Sequence, residues 1–124
     1  MNKLFLSIII LISTCSHSSA QQKNHREIWL FTPDAANASF ISQKSALMDT
    51  AGLKERDLQI HEVVGYEQNR AVFGKYKASA QKFTFVLVGK DSGVKLRSNE
   101  VVGRQKLYHT IDAMPMRKSE MKQP

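Results

Sequence analysis

The single cysteine of this 124-residue chain, Cys15, falls inside an N-terminal segment patterned like a secretory leader. Lys3 supplies the positive start, residues 4–12 form an apolar run, and Ser18, Ser19 and Ala20 place small side chains where signal peptidase cleaves. The run is shorter than the roughly 17–25 residues needed to span a bilayer, and no later stretch is longer or more apolar. Removal of residues 1–20 is therefore expected to leave one domain, residues 21–124, with no transmembrane segment and no thiol. Disulfides, thiolate zinc sites and Cys-x-x-Cys exchange are then excluded by chemistry. A chain of about 100 residues without such staples must be held by its core, which at this size buries well over half of the unfolded surface.

A rival reading of the same segment makes Cys15 a lipid attachment site, because Ile12-Ser13-Thr14-Cys15 resembles a bacterial lipobox. Thr14 departs from the small residue usual there. The expected destination is the periplasm or the exterior, with a lipid-anchored lipoprotein as the alternative.

Hydrophobic residues make up 42% and charged residues 23% of the chain, ordinary values for a globular domain. Charge is uneven: residues 21–62 carry five basic and six acidic side chains, residues 63–124 twelve and five. A basic half attracts anionic partners. Nucleic-acid modules also interleave aromatic residues with Lys and Arg in a recognisable pattern, which is missing here, so no nucleic-acid partner is expected.

The apolar pattern predicts alternating strands and helices. Residues 27–32 read as a buried strand closed by Pro33-Asp34, followed by a helix capped by Asn37 or Ser39 and running to about Ala51, its apolar face holding Phe40, Ile41, Leu47 and Met48, with Gly52 as its stop. Residues 58–64 form a second strand and residues 67–77 a helix interrupted by Gly74. Residues 83–88 and 94–98 pair as a hairpin whose turn uses Asp91, Ser92 and a positive φ at Gly93. A last helix covers residues 100–112 and Pro115 closes it. This order implies an α/β fold: a mixed sheet with a parallel first pair, an antiparallel hairpin and helices on both faces, in a thioredoxin-like layout.

Two stretches go beyond topology. Gly89-Lys90-Asp91-Ser92-Gly93-Val94-Lys95-Leu96-Arg97 and Ile111-Asp112-Ala113-Met114-Pro115-Met116-Arg117-Lys118-Ser119-Glu120-Met121 closely resemble the signature stretches of the exported bacterial family called domain of unknown function 4174. The likeness extends through Leu53-Lys54-Glu55-Arg56-Asp57 back to the first strand. It implies a thioredoxin-like fold, related to domains in extracellular sushi-repeat proteins of animals, and no established reaction. Ser92 stands where the family usually has a second glycine, with Gly93 expected to supply the special backbone position. Where a thioredoxin carries Cys-x-x-Cys, this chain reads Pro33-Asp34-Ala35-Ala36-Asn37-Ala38-Ser39, and Ala80-Gln81-Lys82 replaces the proline before the third strand. The expectation is a retained fold without thiol–disulfide chemistry, its function resting on a site of another kind.

The candidate site is polar: Arg56 and Asp57 before the second strand, Lys90 and Asp91 at the hairpin tip, Asp112 and Arg117 at the end of the last helix. Lys95 and Arg97 add charge from one face of their strand, since residues two apart point the same way. These eight residues are candidates to bind an anionic ligand or an envelope protein; the competing reading has them capping turns, pairing with each other and protecting a sheet edge. An enzyme would use Asp57, Asp91 or Asp112 as acid or base beside Arg56, Arg97 or Arg117, which requires a shifted carboxylate in a cleft. His25, His61 and His109 show no metal-ligand spacing, and Ser39 and Ser92 no nucleophile elbow, so no metal or cofactor is expected and a catalytic role is disfavoured. Met114, Met116 and Met121 are read as closing the core, or as a soft contact patch. The resulting expectation is a binding or accessory module of the bacterial envelope, with the non-thiol enzyme and the lipid-anchored protein as alternatives.

Overall fold

The computed structural model describes residues 22–123, so the expected leader, its expected cleavage after Ala20 and Cys15 lie outside the described residues. Four strands, β1 (Arg26–Thr32), β2 (Leu58–Val64), β3 (Thr84–Val88) and β4 (Val94–Ser98), form one sheet in the order β2-β1-β3-β4. β1 and β2 are parallel, with Ile28 beside Ile60, while β1–β3 and β3–β4 are antiparallel. The parallel pair requires a crossover. Helices α1 (Ala38–Ala46) and α2 (Thr50–Glu55) supply it, and α3 (Arg70–Lys75), preceded by a single 3₁₀ turn at Glu67–Asn69, connects β2 to β3. Helices α4 (Arg104–Asp112) and α5 (Pro115–Met121) complete the chain.

Strand alternation sorts the core into two layers. Ile28, Leu30, Phe85 and Leu87 point to one face, under Phe40 of α1, Leu53 of α2 and Leu107 and Ile111 of α4. Phe31, Val86 and Val88 point to the other, under Phe73 of α3 and Tyr76. The two central strands are buried on both faces and correspondingly read as near-continuous apolar runs. Each fully buried Phe or Leu contributes roughly 1.5–3 kcal/mol. The result is the expected α/β mixed sheet with helices on both faces.

Several local expectations are corrected. The helix expected to reach Ala51 breaks at Leu47, which turns into the core, and restarts at Thr50 because the Asp49 carboxylate accepts the Gly52 N–H at 3.2 Å. Gly52 therefore lies inside α2 instead of ending α1, and a side chain there would meet Asp49 and Tyr108. Ile41 and Met48, assigned to the apolar face, are exposed. Asn37 does cap α1, accepting the Phe40 N–H at 3.0 Å.

The last helix starts at Arg104, not at 100. Val102, ahead of it, is held outside the helix by the buried amide of Gln43, which donates to its carbonyl at 2.9 Å and accepts its N–H at 2.7 Å, and the next residue, Gly103, is extended. Pro115 opens α5 instead of only closing the helix before it, because a proline at the first helical position gives up an N–H that has no helical partner there. In the hairpin the left-handed residue is Ser92, with φ of 67°, and not Gly93. The glycine that the resemblance implies at this position would suit the backbone, and this chain carries a serine in a conformation that costs L-residues about 1–2 kcal/mol.

A charge-matched network beside an apolar cleft

Five of the eight candidate residues converge where the start of β1, the start of β2 and the β3–β4 turn meet α5. Arg56 donates to Asp112 through two bonds, 3.1 and 3.0 Å, and stacks over the Tyr108 ring at 3.8 Å. Arg117, buried although charged, donates to Asp112 at 3.1 Å and to Glu55 at 3.0 Å. Lys90 bridges Asp57 at 2.8 Å and Glu120 at 2.6 Å.

Three further members lie outside the eight candidates: Arg26, Glu55 and Glu120. Arg26 is 1% exposed and grips Glu120 with two bonds of 3.2 Å while donating to the Arg56 carbonyl at 3.0 Å. One signal for it was available. Arg26 is in phase with Ile28 and Leu30 on the inward face of β1, a place where a charge needs a partner.

The remaining three candidates do not join the network directly. Lys95 pairs with Asp91 at 2.7 Å, across the turn from Lys90. Arg97 leaves altogether, donating to the Tyr76 carbonyl at 3.0 Å on the α3 side of the sheet. The expectation that Lys95 and Arg97 share a face fails at a register shift: Val88 opposes Val94 while Leu87 opposes Leu96, so Lys95 is the extra residue of a bulge.

The electrostatics follow from the pairing. Burial pushes the Asp112 carboxyl up, but the hydrogen bonds and charges of Arg56 and Arg117 outweigh it and hold Asp112 below the ordinary carboxylate range. Glu120 behaves alike: burial raises it, and Lys90 and Arg26 more than reverse the effect. Asp91 is lowered by the hydrogen bond from Lys95 and by the Gly93 N–H. Burial alone would lower Lys90, yet Asp57 and Glu120 raise it. With Lys95 and Asp91 included, five cations face five carboxylates. Carboxylates lowered in this way are poor proton donors and weakened bases near neutral pH.

Beside the network, between the β3–β4 turn and the α4–α5 corner, lies a cleft of about 440 Å³. Ala113, Met114, Pro115 and Met116 line one wall, and Lys90 and Lys95 line the other. Met114 also packs against the core and Met121 is exposed, so the three methionines do not act as one group.

The histidines sit elsewhere. His61 stacks on Trp29 at 4.2 Å, its Nε2 buried without a hydrogen bond, and His25 lies 3.4 Å from the Glu27 carboxylate. His109 is exposed on α4. Among the described residues no three His, Cys, Asp or Glu side chains are placed to hold a metal ion. Among the same residues no helix is long and apolar enough to cross a membrane.

Comparison with known proteins adds one match: residues 18–120 fit the family described as Domain of unknown function (DUF4174). No curated protein matches the chain.

Proposed function

We propose, for a chain that belongs to the DUF4174 family, a role as an exported, thioredoxin-like binding or accessory module of the bacterial envelope, with the cleft at the α4–α5 corner as its ligand site. The cleft itself carries the reading. Its volume of about 440 Å³ lies within the roughly 300–1,000 Å³ usual for small-ligand sites, and its make-up, a mostly apolar wall facing a few convergent polar groups, is also typical. The ligand class is an apolar body bearing an anionic or hydrogen-bonding head. Lys90 and Lys95 are already matched by carboxylates, so such a ligand gains from burial of its body more than from charge.

The strand order, with one parallel pair followed by two antiparallel ones, supports the thioredoxin-like assignment. On that reading, the Asn37 cap between β1 and α1 stands in the segment where a thioredoxin carries its thiols. The non-thiol enzyme gains no support, since Asp91 and Asp112 are held ionised by their cationic neighbours.

The test is saturable binding of anilinonaphthalene sulfonate, an apolar ring system with an anionic head. Stoichiometric binding to the folded protein, lost in Ala113→Trp with the melting temperature retained, is the expected result. Binding unchanged in that variant, or no saturable binding, removes the cleft from consideration. Export is tested separately by mass spectrometry of the N-terminus: a start at Gln21 supports cleavage, and an acylated Cys15 replaces it with a lipid anchor.

A further inference from the structure

The basic excess of the second half is not spent in the network, where charges cancel, and much of it collects on the opposite face of the sheet. Lys75, Lys77, Lys82 and Arg97 are exposed, and none makes an ion pair with any of the described residues. They surround the end of α3. The Lys75 ammonium lies 5.2 Å from the Tyr76 ring, and Arg97 donates to the Tyr76 carbonyl. Lys77 follows in the left-handed conformation, φ of 53°, and Lys82 lies on the same connector, its N–H bonded to Ser79. Glu100, three positions from Arg97, forms no ion pair with any of the described residues.

We infer that these four residues form an adhesive surface for an anionic phospholipid bilayer. Three of the four are lysines, compact hydrated point charges that respond to a diffuse field and lack the fork used to read a shaped anion. None of the four lines the cleft at the α4–α5 corner. Tyr76 between them is buried and offers no ring on which a nucleobase can stack. A cluster of four cations on one side of a small domain matches the polybasic pattern that anionic leaflets attract, each charge adding to the free energy of adhesion. The surface shares no residue with the lining of the proposed cleft and is independent of it.

The experiment is co-sedimentation of residues 21–124 with phosphatidylcholine vesicles containing about one-third phosphatidylglycerol, at low salt and again above roughly 0.5 M, where screening shortens the range to a few ångströms. Wild-type protein is expected to partition at low salt only, and not onto pure phosphatidylcholine. The triple variant Lys75→Glu, Lys77→Glu, Lys82→Glu is expected to lose about a hundredfold or more in partition. The control Lys106→Glu, Lys118→Glu, Lys122→Glu changes net charge equally on α4 and α5 and is expected to retain most of it. Equal loss in both triples means that net charge and not this surface acts, and overturns the inference. So does absence of wild-type partition, or tighter patch-dependent binding to duplex DNA or to an acidic protein. If the first triple variant fails to fold, Lys77→Gln with Lys82→Gln gives the same reading, with an expected loss of about thirtyfold.

Discussion

Arg26 and Glu120, 94 positions apart in sequence, are joined by two hydrogen bonds of 3.2 Å that fasten the last helix to the first strand. The guanidinium is buried and the carboxylate a quarter exposed. Removing the carboxylate leaves a buried cation without its partner, the situation in which a broken ion pair is costly. Glu120→Gln is expected to lower unfolding free energy by about 3 kcal/mol, toward the lower end for buried pairs because water reaches Glu120. Urea denaturation reads it directly. The paired apolar replacement Arg26→Met with Glu120→Leu is expected to recover most of the loss; a double variant as unstable as the single one contradicts this account.

Acid should release the same clasp. Glu27, Asp91, Asp112 and Glu120 all have folded-state values below their ordinary ones. For Glu27 burial opposes the shift, and the Trp29 N–H and Lys23 override it. A carboxylate lowered on folding contributes stability that is fully present above its unfolded value, near pH 4, and disappears as pH falls through the folded value. Unfolding free energy measured against pH should thus be flat in this respect from about pH 5 to 7 and fall below about pH 4. Stability that rises on acidification through that window refutes the assignment.

Gln43 substitutes for a strand partner. It is buried at 0% exposure and satisfies both the N–H and the carbonyl of Val102. Gln43→Ala strands two buried backbone groups and leaves a void, which is expected to cost about 2–5 kcal/mol. Gln43→Glu keeps the acceptor but loses the donor and buries a charge, so it should be no milder. Thermal unfolding of both variants checks the order.

Ser92 offers a change of opposite sign. Its left-handed backbone, φ of 67°, strains a serine by about 1–2 kcal/mol, partly offset by the greater freedom of glycine in the unfolded chain. Ser92→Gly is therefore expected to raise stability by about 0.5 kcal/mol. Gly93→Ala, two residues from Lys95 in the same turn, has no positive φ to relieve and should not stabilise. A destabilised Ser92→Gly protein shows that side-chain interactions of Ser92 outweigh the strain.

The sheet is legible in the sequence because β1 and β3 are buried on both faces and carry near-continuous apolar runs, whereas β2 reads as an apolar-rich stretch between the charged connector 54–57 and Gly65. Helix boundaries were less legible. Nothing in the local pattern distinguishes Asp49 as a cap from Asn37 as a cap until Tyr108, from a helix 59 positions away, donates to the Asp49 carboxylate at 2.9 Å. The candidate site divided in the same way. Arg56, Asp57, Lys90, Asp112 and Arg117 were identifiable as charges at element ends, while Glu120 gained its role only when α5 folded back onto Arg26. Lys95 and Arg97 parted because one extra residue in β4 breaks the alternation that sequence spacing assumes.

By itself, then, the chain's order of residues determined the number and kind of strands, the two-layer core, and the lack of any thiol beyond Cys15. These depend on local periodicity and on composition, which neighbours along the chain define. Only the tertiary structure decided which charges cancel and which stay free. Five carboxylates and five cations from the two ends and the middle of the sequence meet at one corner of the sheet, and Lys75, Lys77, Lys82 and Arg97 have no carboxylate partner among the described residues. The physical reason is range: ion pairing is set by distances of about 3–4 Å in space, and separation along the chain carries no information about it.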